Sequence, residues 1–363
     1  MALRFHWSLS SVGDKFRGAK SRTEMSGLFN FDEQAEFARA AEENGIDSLL
    51  MALGSYRPEP IVLSMALGMV TAKIKFMCAV RPGTISPTLF VQQVNSVSAL
   101  TGGRITINLV TGNSPHELNY YGAYLDHDAR YERADEFLKV CGALWRREGA
   151  VDFDGKYYKI EGGRLNTPFV SNERSSPEIF IGGNSEKAEE LALEHANCLW
   201  RFADTPDNLR PRIPAFLKKN VEVGLLMSIL ARPTREQAVA DAYAMVETLR
   251  AQRTFGKEFA RNTDSVSYRT ILELAESSES DWLTPTLWTG AIPYMGSTAI
   301  ALVGAPEEIA SAIMEYRSIG ISQFLFIGWP DLQEMMFFGK EILPLVRKKE
   351  QECETEHQAA ARR

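Results

Sequence analysis

A glycine pair between an apolar strand and a charged helix is the segment of this sequence best suited to hold a phosphate. In "FIGGNSEKAEELA" the strand is followed by Gly182 and Gly183, then by Asn184 and Ser185 at the predicted helix start. Glycines let a backbone approach a ligand closely. The first turn of a helix offers unpaired N–H groups and the positive end of its dipole. A plain turn explains the same residues, so both interpretations stay open here.

A second strand ends in small hydroxyl and amide residues. "GRITINLVTGNSP" runs from an apolar strand directly into Thr111, Gly112 and Asn113. The loops after the predicted strands carry neither a Ser-His-Asp or Cys-His set nor paired carboxylates at helical spacing. This pattern favours a site where a cofactor supplies the difficult chemistry and the protein positions it.

Composition excludes several classes of partner. The chain has 363 residues, of which 45% are hydrophobic and 24% charged, and its formal net charge is −7. No basic field is expected to attract nucleic acid or an anionic membrane surface, and no apolar run is long enough to span a bilayer. The four cysteines lie far apart without a CxxC motif, as expected of reduced thiols in the cytoplasm. The five histidines show no HExxH motif, so no metal is expected.

Apolar strand-like runs alternate with amphipathic helices along most of the chain. Runs such as "IKFMCAV" are apolar throughout, which is typical of parallel strands buried on both faces. Strands are predicted to begin near Arg4, Ile46, Ile74, Arg104, Glu178, Asn197, Glu222 and Ile321. Eight strand–helix units predict an α/β fold, a (β/α)8 TIM barrel, with an open doubly wound sheet as the alternative. A barrel would bring the carboxyl ends of its strands together as the site.

One stretch breaks the alternation. Residues 254–292 are polar and irregular and precede the last strand, and an insertion of this length is usually a lid or a binding loop. We therefore expect a single barrel domain over residues 1–348 that carries this lid. Residues 349–363 form a polar tail, for which a fraying helix and disorder both stay open.

Several segments together resemble the bacterial luciferase-like flavin monooxygenases, and within that family most closely the alkanesulfonate monooxygenases. They include "FMCAVRPGTISPTLFVQQVNSVSALTGGRITINLVTG", "YLDHDARYERADEF", "VDFDGKYY" and "IFIGGNSEKAEELA". The resemblance implies reduced FMN delivered by a separate NAD(P)H-dependent reductase, and O2 activated as a flavin (hydro)peroxide. It also implies a homodimer or homotetramer, for which the helix "SPTLFVQQVNSVSAL" or "LQEMMFFGKEIL" could supply an apolar face.

The resemblance also assigns cofactor-binding residues. Those that match the family's flavin site are Asn108, Thr111, His127, Tyr131, Gly183, Asn184 and Ser185. Asn108 and Thr111 would lie near the isoalloxazine ring, and Tyr131 would reach the phosphate. His127 shares the motif of Tyr131, although a role in starting its helix is equally open. On this interpretation, the residues after the fourth strand are small because the flavin ring lies over them.

The sulfonate-binding groups of that branch are replaced here. The aligned positions hold Val12, Arg57, Leu226, Ser228, Met295, Trp329 and Asp331. A pocket that has exchanged charges for Leu, Met and Trp would not desolvate a small anion favourably. A larger, more apolar substrate is expected, in a pocket walled by Trp7, Tyr56, Arg57, Phe202, Met295 and Trp329. Arg57 or Arg201 could hold an acidic group on that substrate, or simply pair with an acidic side chain.

The sequence thus predicts a two-component, FMNH2-dependent monooxygenase for a relatively apolar organic substrate, with biosynthetic tailoring as one role. Baeyer–Villiger-type, heteroatom and carbon oxygenation all stay open, and the candidate catalytic residues are Arg57, Ser228 and Trp329. Two alternatives remain. One is an F420-dependent oxidoreductase on the same fold, and the other is a flavin-binding paralogue without catalysis.

Overall fold

The computed structural model describes residues 2–9, 30–55, 57–252, 264–277, 280–329 and 331–361. Val12 and Tyr56, two positions assigned from the sequence to the substrate pocket region, lie outside these residues. Residues 254–263 of the predicted insertion also lie outside them.

Twelve labelled strands position the site. In chain order they are β1 (Arg4–Ser8), β2 (Ser48–Met51), β3 (Lys75–Val80), β4 (Ile105–Leu109), β5 (Val151–Asp154), β6 (Lys159–Gly163), β7 (Ile179–Gly182), β8 (Cys198–Phe202), β9 (Glu222–Ala231), β10 (Leu287–Trp288), β11 (Ala301–Gly304) and β12 (Ile321–Gly328). β5 and β6 form an antiparallel hairpin outside the main sheet. β11 lies parallel to the end of β9, and β10 lies antiparallel to β11.

The other eight strands close into a parallel barrel. β1 through β4 pair in sequence, β4 pairs with β7, and β7 continues through β8 and β9 to β12. β12 then pairs with β1, so neither edge stays open. This closure confirms the (β/α)8 barrel and excludes the open sheet. Each strand begins within two residues of its predicted start, because apolar runs bounded by polar turns are a strong strand signal.

Helices cover the outside of the barrel. They are α1 (Phe31–Glu43), α2 (Pro60–Gly68), α3 (Pro87–Thr101), α4 (Pro115–Tyr120), α5 (His127–Arg146), α6 (Glu186–His195), α7 (Pro206–Leu209), α8 (Ile213–Leu217), α9 (Arg235–Gln252), α10 (Val266–Ser277), α11 (Ile292–Met295), α12 (Pro306–Ser318), α13 (Asp331–Phe337) and α14 (Leu343–Ala361). The start of α3 follows from its sequence. Ser86 accepts a hydrogen bond from the N–H of Leu89, and Pro87 occupies the first turn, where its missing N–H costs nothing.

Alternate residues of each barrel strand face inward and outward, as the strand geometry requires. In β3, Cys78 belongs to the main core between strands and helices, and its thiol lies 3.6 Å from the Pro60 carbonyl of α2. Met77 instead joins a separate apolar cluster with Phe180, Trp200 and Leu325. This second cluster fills the middle of the barrel, so open space for a ligand has to lie above it.

A hydrogen-bonded polar network lies beneath that cluster. Arg4 pairs with Glu178 at 2.7 Å and with Glu222 at 3.0 Å. His6 contacts the Ser48 hydroxyl at 2.6 Å and the Gln323 amide oxygen at 2.9 Å. Burial lowers the pKa of His6 from 6.5 to about 3, so its imidazole is neutral at physiological pH. The polar groups here are satisfied internally, which indicates a structural role for this end of the barrel.

The described part of the insertion packs against the carboxyl ends of the strands. Asp264, just before α10, forms an ion pair of 2.6 Å with Arg130 of α5. Ser267 in the first turn of α10 accepts a hydrogen bond of 2.8 Å from the N–H of Asn184. These contacts bring the insertion to the glycine-rich turn after β7.

The polar tail is helical as far as the structure describes it. α14 runs to Ala361, and its Glu350 is 4% exposed. The Glu350 carboxylate accepts a hydrogen bond of 2.7 Å from the N–H of Leu3, and Arg347 pairs with the same side chain. Of the two alternatives for this segment, the helix is therefore the one observed.

Candidate active site at the carboxyl ends of the barrel strands

Two stacked aromatic rings form the floor of the candidate site. The rings of Phe180 and Trp200 are 5.5 Å apart and nearly parallel, and His6 meets the Trp200 ring edge-on at 5.4 Å from below. Gly224 on β9 makes room for this floor, since a Cβ there would lie 2.2 Å from the indole. A ligand is therefore confined to the space between the floor and the loops that follow the strands.

The glycine turn after β7 and the start of α5, which the resemblance assigns to a phosphate site, meet in space at a place that we call the phosphate corner. Gly183 has φ +152°, and a Cβ on it would collide with Ala188 and lie 3.5 Å from the Tyr131 hydroxyl. Ser185 caps α6 by accepting from the N–H of Ala188 at 3.2 Å. Among the described residues, the buried Asn184 side-chain oxygen has no partner. A tyrosine hydroxyl, a helix start and an unpaired amide thus face one corner.

His127 flanks this corner rather than filling it. Its ring lies 5.0 Å from that of Tyr131, and its Nδ1 contacts the Asp128 carboxylate at 2.8 Å. The imidazole is about one quarter exposed. This position fits either a group at the edge of a phosphate site or a residue that starts α5.

The end of β4 supplies the next part of the site. Asn108 is 8% exposed, and no described residue partners its Oδ1. Thr111 is half-buried just beyond the strand. Gly112 has φ +91°, and a Cβ there would lie 2.8 Å from Leu118 of α4. Packing of α4 and the backbone conformation therefore account for Gly112, so its small size needs no flavin ring as explanation.

Five residues from the predicted pocket or catalytic set belong to the loops and strand ends above the floor. Phe202 meets the ring of Tyr268 edge-on at 5.3 Å, which brings α10 over the end of β8. Met295 is half-buried at the end of α11. Trp329 is 5% exposed, and its Nε1 is another buried atom without a partner in the described chain.

The Ser228 hydroxyl donates to the Thr298 carbonyl at 2.7 Å, so its proton is already engaged. Arg57 is half-buried in the turn after β2, where its N–H donates to the Gly54 carbonyl at 2.9 Å.

Two residues assigned to the substrate from sequence face the other way. Trp7 packs on the outer side of β1, with its ring 5.8 Å from Phe326 and 6.0 Å from Phe338, so Trp7 is not a pocket wall. Arg201 also points outward and forms an ion pair of 2.5 Å with Glu189 of α6. Of the two interpretations given for Arg201, pairing with an acidic side chain is therefore the correct one.

Sequence reasoning did not assign a role to Arg81, which directly follows β3. Arg81 is 3% exposed, and its Nε and Nη1 lack partners among the described residues. Its Nη2 lies 3.5 Å from a Glu117 oxygen, and its guanidinium lies 5.2 Å from the centre of the Tyr121 ring. In the sequence Arg81 is marked only as an arginine near the end of an apolar run, and Arg57 and Arg201 occupy similar places.

A group of potential metal ligands lies outside this site. Within the described ranges, Asp135, Glu194 and His195 bring ligand atoms within 4.8 Å of one another on α5 and α6. The Lys139 ammonium lies 2.7 Å from Asp135 and 3.4 Å from Glu194, and His195 contacts Asp135 at 2.8 Å. The Lys139 ammonium therefore already pairs with both carboxylates of the group. Among the described helices, none has the length and apolarity needed to cross a membrane.

The fold is a closed parallel barrel with a glycine turn, a helix start and a tyrosine hydroxyl at the carboxyl end of β7. The model of the luciferase-like monooxygenase family matches residues 3–323. The chain therefore belongs to the luciferase-like monooxygenases, a family of flavin-dependent enzymes. This membership confirms the resemblance at the level of the family.

Solved structures of varied activity share the fold. Riboflavin lyase, solved with modified FMN and riboflavin, matches with a TM-score of 0.75 and 20% identity, over 96% of this chain and 92% of that chain. EDTA monooxygenase from Chelativorans sp. BNC1 matches with a TM-score of 0.71 and 20% identity, over 96% and 94%. An F420-dependent secondary alcohol dehydrogenase matches with a TM-score of 0.67 and 19% identity, over 95% and 99%. At such identities the likeness concerns the fold.

Proposed function

We propose that this protein is a two-component monooxygenase that uses reduced FMN and O2 to oxygenate a relatively apolar organic substrate. A separate NAD(P)H:FMN reductase would supply the reduced flavin, in the reducing environment of the cytoplasm. Biosynthetic tailoring is a role compatible with such a substrate. When bound, reduced FMN would supply the activation of oxygen, and the protein would supply binding, orientation and exclusion of water.

One observation carries the proposal: a phosphate corner and an unpaired buried acceptor lie on neighbouring strands. Gly183, Ser185 and the Tyr131 hydroxyl surround the end of β7. Asn108 leaves a buried oxygen without a partner in the described chain at the end of β4. A buried polar atom is nearly always hydrogen-bonded in a folded protein. A flavin mononucleotide fits this pattern because it joins a phosphate to a planar ring system that carries N–H donors.

The substrate would lie over the flavin, against the loops after β2, β8, β9 and β12. Phe202, Met295 and Trp329 would be its apolar walls, and Trp329 would offer one indole N–H. Arg57 is the cation of this rim that could meet an acidic group, and Tyr56 belongs to the same loop in sequence. The mostly apolar walls favour a substrate that loses little solvation on entering.

The insertion would act as a lid over this pocket. The Arg130–Asp264 ion pair and the Asn184–Ser267 hydrogen bond support the idea, because they connect α10 to the phosphate corner. Closing such a lid excludes water, which strengthens the electrostatic interactions inside. The Trp329 indole is the proton-bearing group that the closed pocket would present to the substrate, because the Ser228 hydroxyl already donates to the Thr298 carbonyl.

The deciding experiment is an anaerobic titration with FMNH2, followed by rapid mixing with oxygenated buffer. We expect tighter binding of reduced than of oxidised FMN, and a transient near-ultraviolet absorbance that belongs to neither form. Candidate substrates can then be ranked by how fast they remove that transient. Oxygenated product that contains one atom from 18O2 would exclude a non-catalytic paralogue.

The alternative functions give different results in the same experiment. Binding of F420 without binding of FMN would overturn the proposal and favour hydride transfer, as in the dehydrogenase that shares the fold. Binding of FMN without turnover of any oxidisable compound would favour the non-catalytic paralogue.

A further inference from the structure

Arg81 is a buried cation with unused hydrogen-bonding capacity. Its side chain is 4% exposed, and its nearest carboxylate oxygen, on Glu117, lies 3.5 Å from Nη2. Glu117 is shared, because its other oxygen accepts from the N–H of Ser55 at 3.0 Å. Within the described residues Nε and Nη1 donate to nothing. Since a buried guanidinium is costly unless its donors are satisfied, the two spare donors indicate a ligand.

The direction of the side chain follows from β3. Met77 lies in the cluster inside the barrel, and Cys78 and Val80 lie in the outer core. Arg81 continues the inward series of Met77 and Ala79. In the register of the sheet, Ala79 lies beside Asn108 on β4. The ends of β3 and β4 therefore present two unpaired donors and one unpaired acceptor to the same space.

The phosphate corner lies on the far side of β4 from Arg81. β4 pairs with β3 on one edge and with β7 on the other. Neighbouring strands are about 4.8 Å apart, so the ends of β3 and β7 are separated by roughly 10 Å. If the flavin phosphate binds at Gly183 and the ring system reaches Asn108 on β4, the far edge of the ring would lie at the end of β3.

We propose that Arg81 binds the pyrimidine edge of the flavin and makes the site selective for the anionic, reduced form. This inference rests on the proposed function. Reduced flavin carries its negative charge over N1 and the neighbouring carbonyl, whereas oxidised flavin is neutral there. A buried cation with only a shared, distant counter-charge favours the anion. Asn108 supplies the acceptor for an N–H on the same edge.

The test is the ratio of dissociation constants for oxidised and reduced FMN, measured anaerobically without turnover. Arg81→Gln is expected to weaken binding of reduced FMN roughly ten- to a hundred-fold, the scale of a hydrogen bond to a charged group, and to affect oxidised FMN far less. Arg201→Lys, at a similarly buried arginine that faces outward, is expected to keep the ratio. If Arg81→Gln folds and the ratio is unchanged, the inference is overturned. This holds even if the variant weakens substrate binding.

A second variant tests the same inference in the opposite direction. Glu117→Gln removes the counter-charge near Arg81 and keeps an oxygen for the Ser55 N–H, so selectivity for reduced FMN is expected to rise. If Arg81→Gln fails to fold, this variant decides, and an unchanged or lower ratio contradicts the inference. Failure of the wild type to bind either form would overturn the proposed function, and the role of Arg81 with it.

Discussion

At the scale of single residues, three described side chains near the candidate site leave buried polar atoms without partners. Asn108, Arg81 and Trp329 each leave such an atom at the carboxyl end of a strand, among the described residues. An indole N–H alone is a weak marker, because Trp7 and Trp288 also leave theirs unpaired in the outer core. The informative feature is an unpaired donor and an unpaired acceptor at the ends of the adjacent strands β3 and β4.

Tyr131 is expected to contribute one hydrogen bond to the flavin phosphate. Tyr131→Phe should therefore weaken binding of FMN about three- to ten-fold, the range of a single hydrogen bond, and leave binding of riboflavin unchanged, because riboflavin has no phosphate. The measurement is a fluorescence titration with each flavin.

Tyr124→Phe is the matched control, since Tyr124 is 77% exposed and precedes the same helix. It should alter neither affinity. Equal losses for FMN and riboflavin in Tyr131→Phe would place the hydroxyl elsewhere than at the phosphate.

At the scale of elements, α2 and α3 are two uncharged helices of 9 and 15 residues that pack side by side on the outside of the barrel. Neither helix contains a charged residue, yet large apolar side chains on both are exposed. They are Val62, Met65, Leu89 and Leu100, each between 41% and 66% exposed. The other segment proposed for self-association, "LQEMMFFGKEIL", does not offer an apolar face to a partner. Its Met335, Phe338 and Ile342 are fully buried in this chain's own core, which leaves α2 and α3 as the available face.

We predict that this face joins two copies of the chain. An uncharged surface can pack on its own copy without charge repulsion, and an exposed apolar patch commonly marks such a contact. Val62→Lys combined with Leu89→Lys should shift the protein from dimer or tetramer towards monomer, measured by light scattering after size exclusion at micromolar concentration.

The control for this prediction is Leu217→Lys, because Leu217 is 44% exposed on α8. It should leave the assembly intact. A wild-type protein that is monomeric at these concentrations would contradict the prediction directly.

At the scale of the whole molecule, the order of the strands could be predicted from the sequence. Which residues of each strand point into the barrel could not. Apolar runs define strand positions because both faces of a parallel barrel strand are buried. The same property hides which residues point inward. In "RFHWSL" the aromatic Trp7 faces the helices and the polar His6 faces the interior, although aromatic residues were expected to line the pocket.

Partners distant in sequence limited the prediction of the site in the same way. Arg81 and Arg201 both stand near the ends of apolar runs, but Arg201 lies within β8 with Glu189 at 2.5 Å, whereas Arg81 follows β3 and has Glu117 at 3.5 Å. Local sequence contains no signal for that difference. The residues of the phosphate corner could be proposed from sequence because they lie in two compact motifs, whereas the contacts of Asp264 and Ser267 depend on how the insertion folds back.

The free energy of unfolding should depend on pH through the buried carboxyl group of Glu334. Glu334 is 1% exposed and contacts the Ala231 N–H and the Arg232 guanidinium. Burial raises the pKa of Glu334 from 4.5 to about 8, although Arg232 opposes the shift. Between these values the folded protein holds a proton that the unfolded chain releases. The free energy of unfolding therefore falls as pH rises through this window and levels off above it.

Glu334→Gln removes this titration and keeps an oxygen for the Ala231 N–H. The free energy of unfolding of the wild type relative to this variant should therefore decrease from pH 4.5 to pH 8, measured by denaturant titration at a series of pH values. Glu307→Gln, at an exposed carboxylate of α12, should leave the profile of the wild type unchanged. A difference between wild type and Glu334→Gln that is flat, or that grows with pH, would mean that Glu334 is ionised in the folded protein throughout. In that case the ion pair with Arg232 would outweigh the cost of burying the charge.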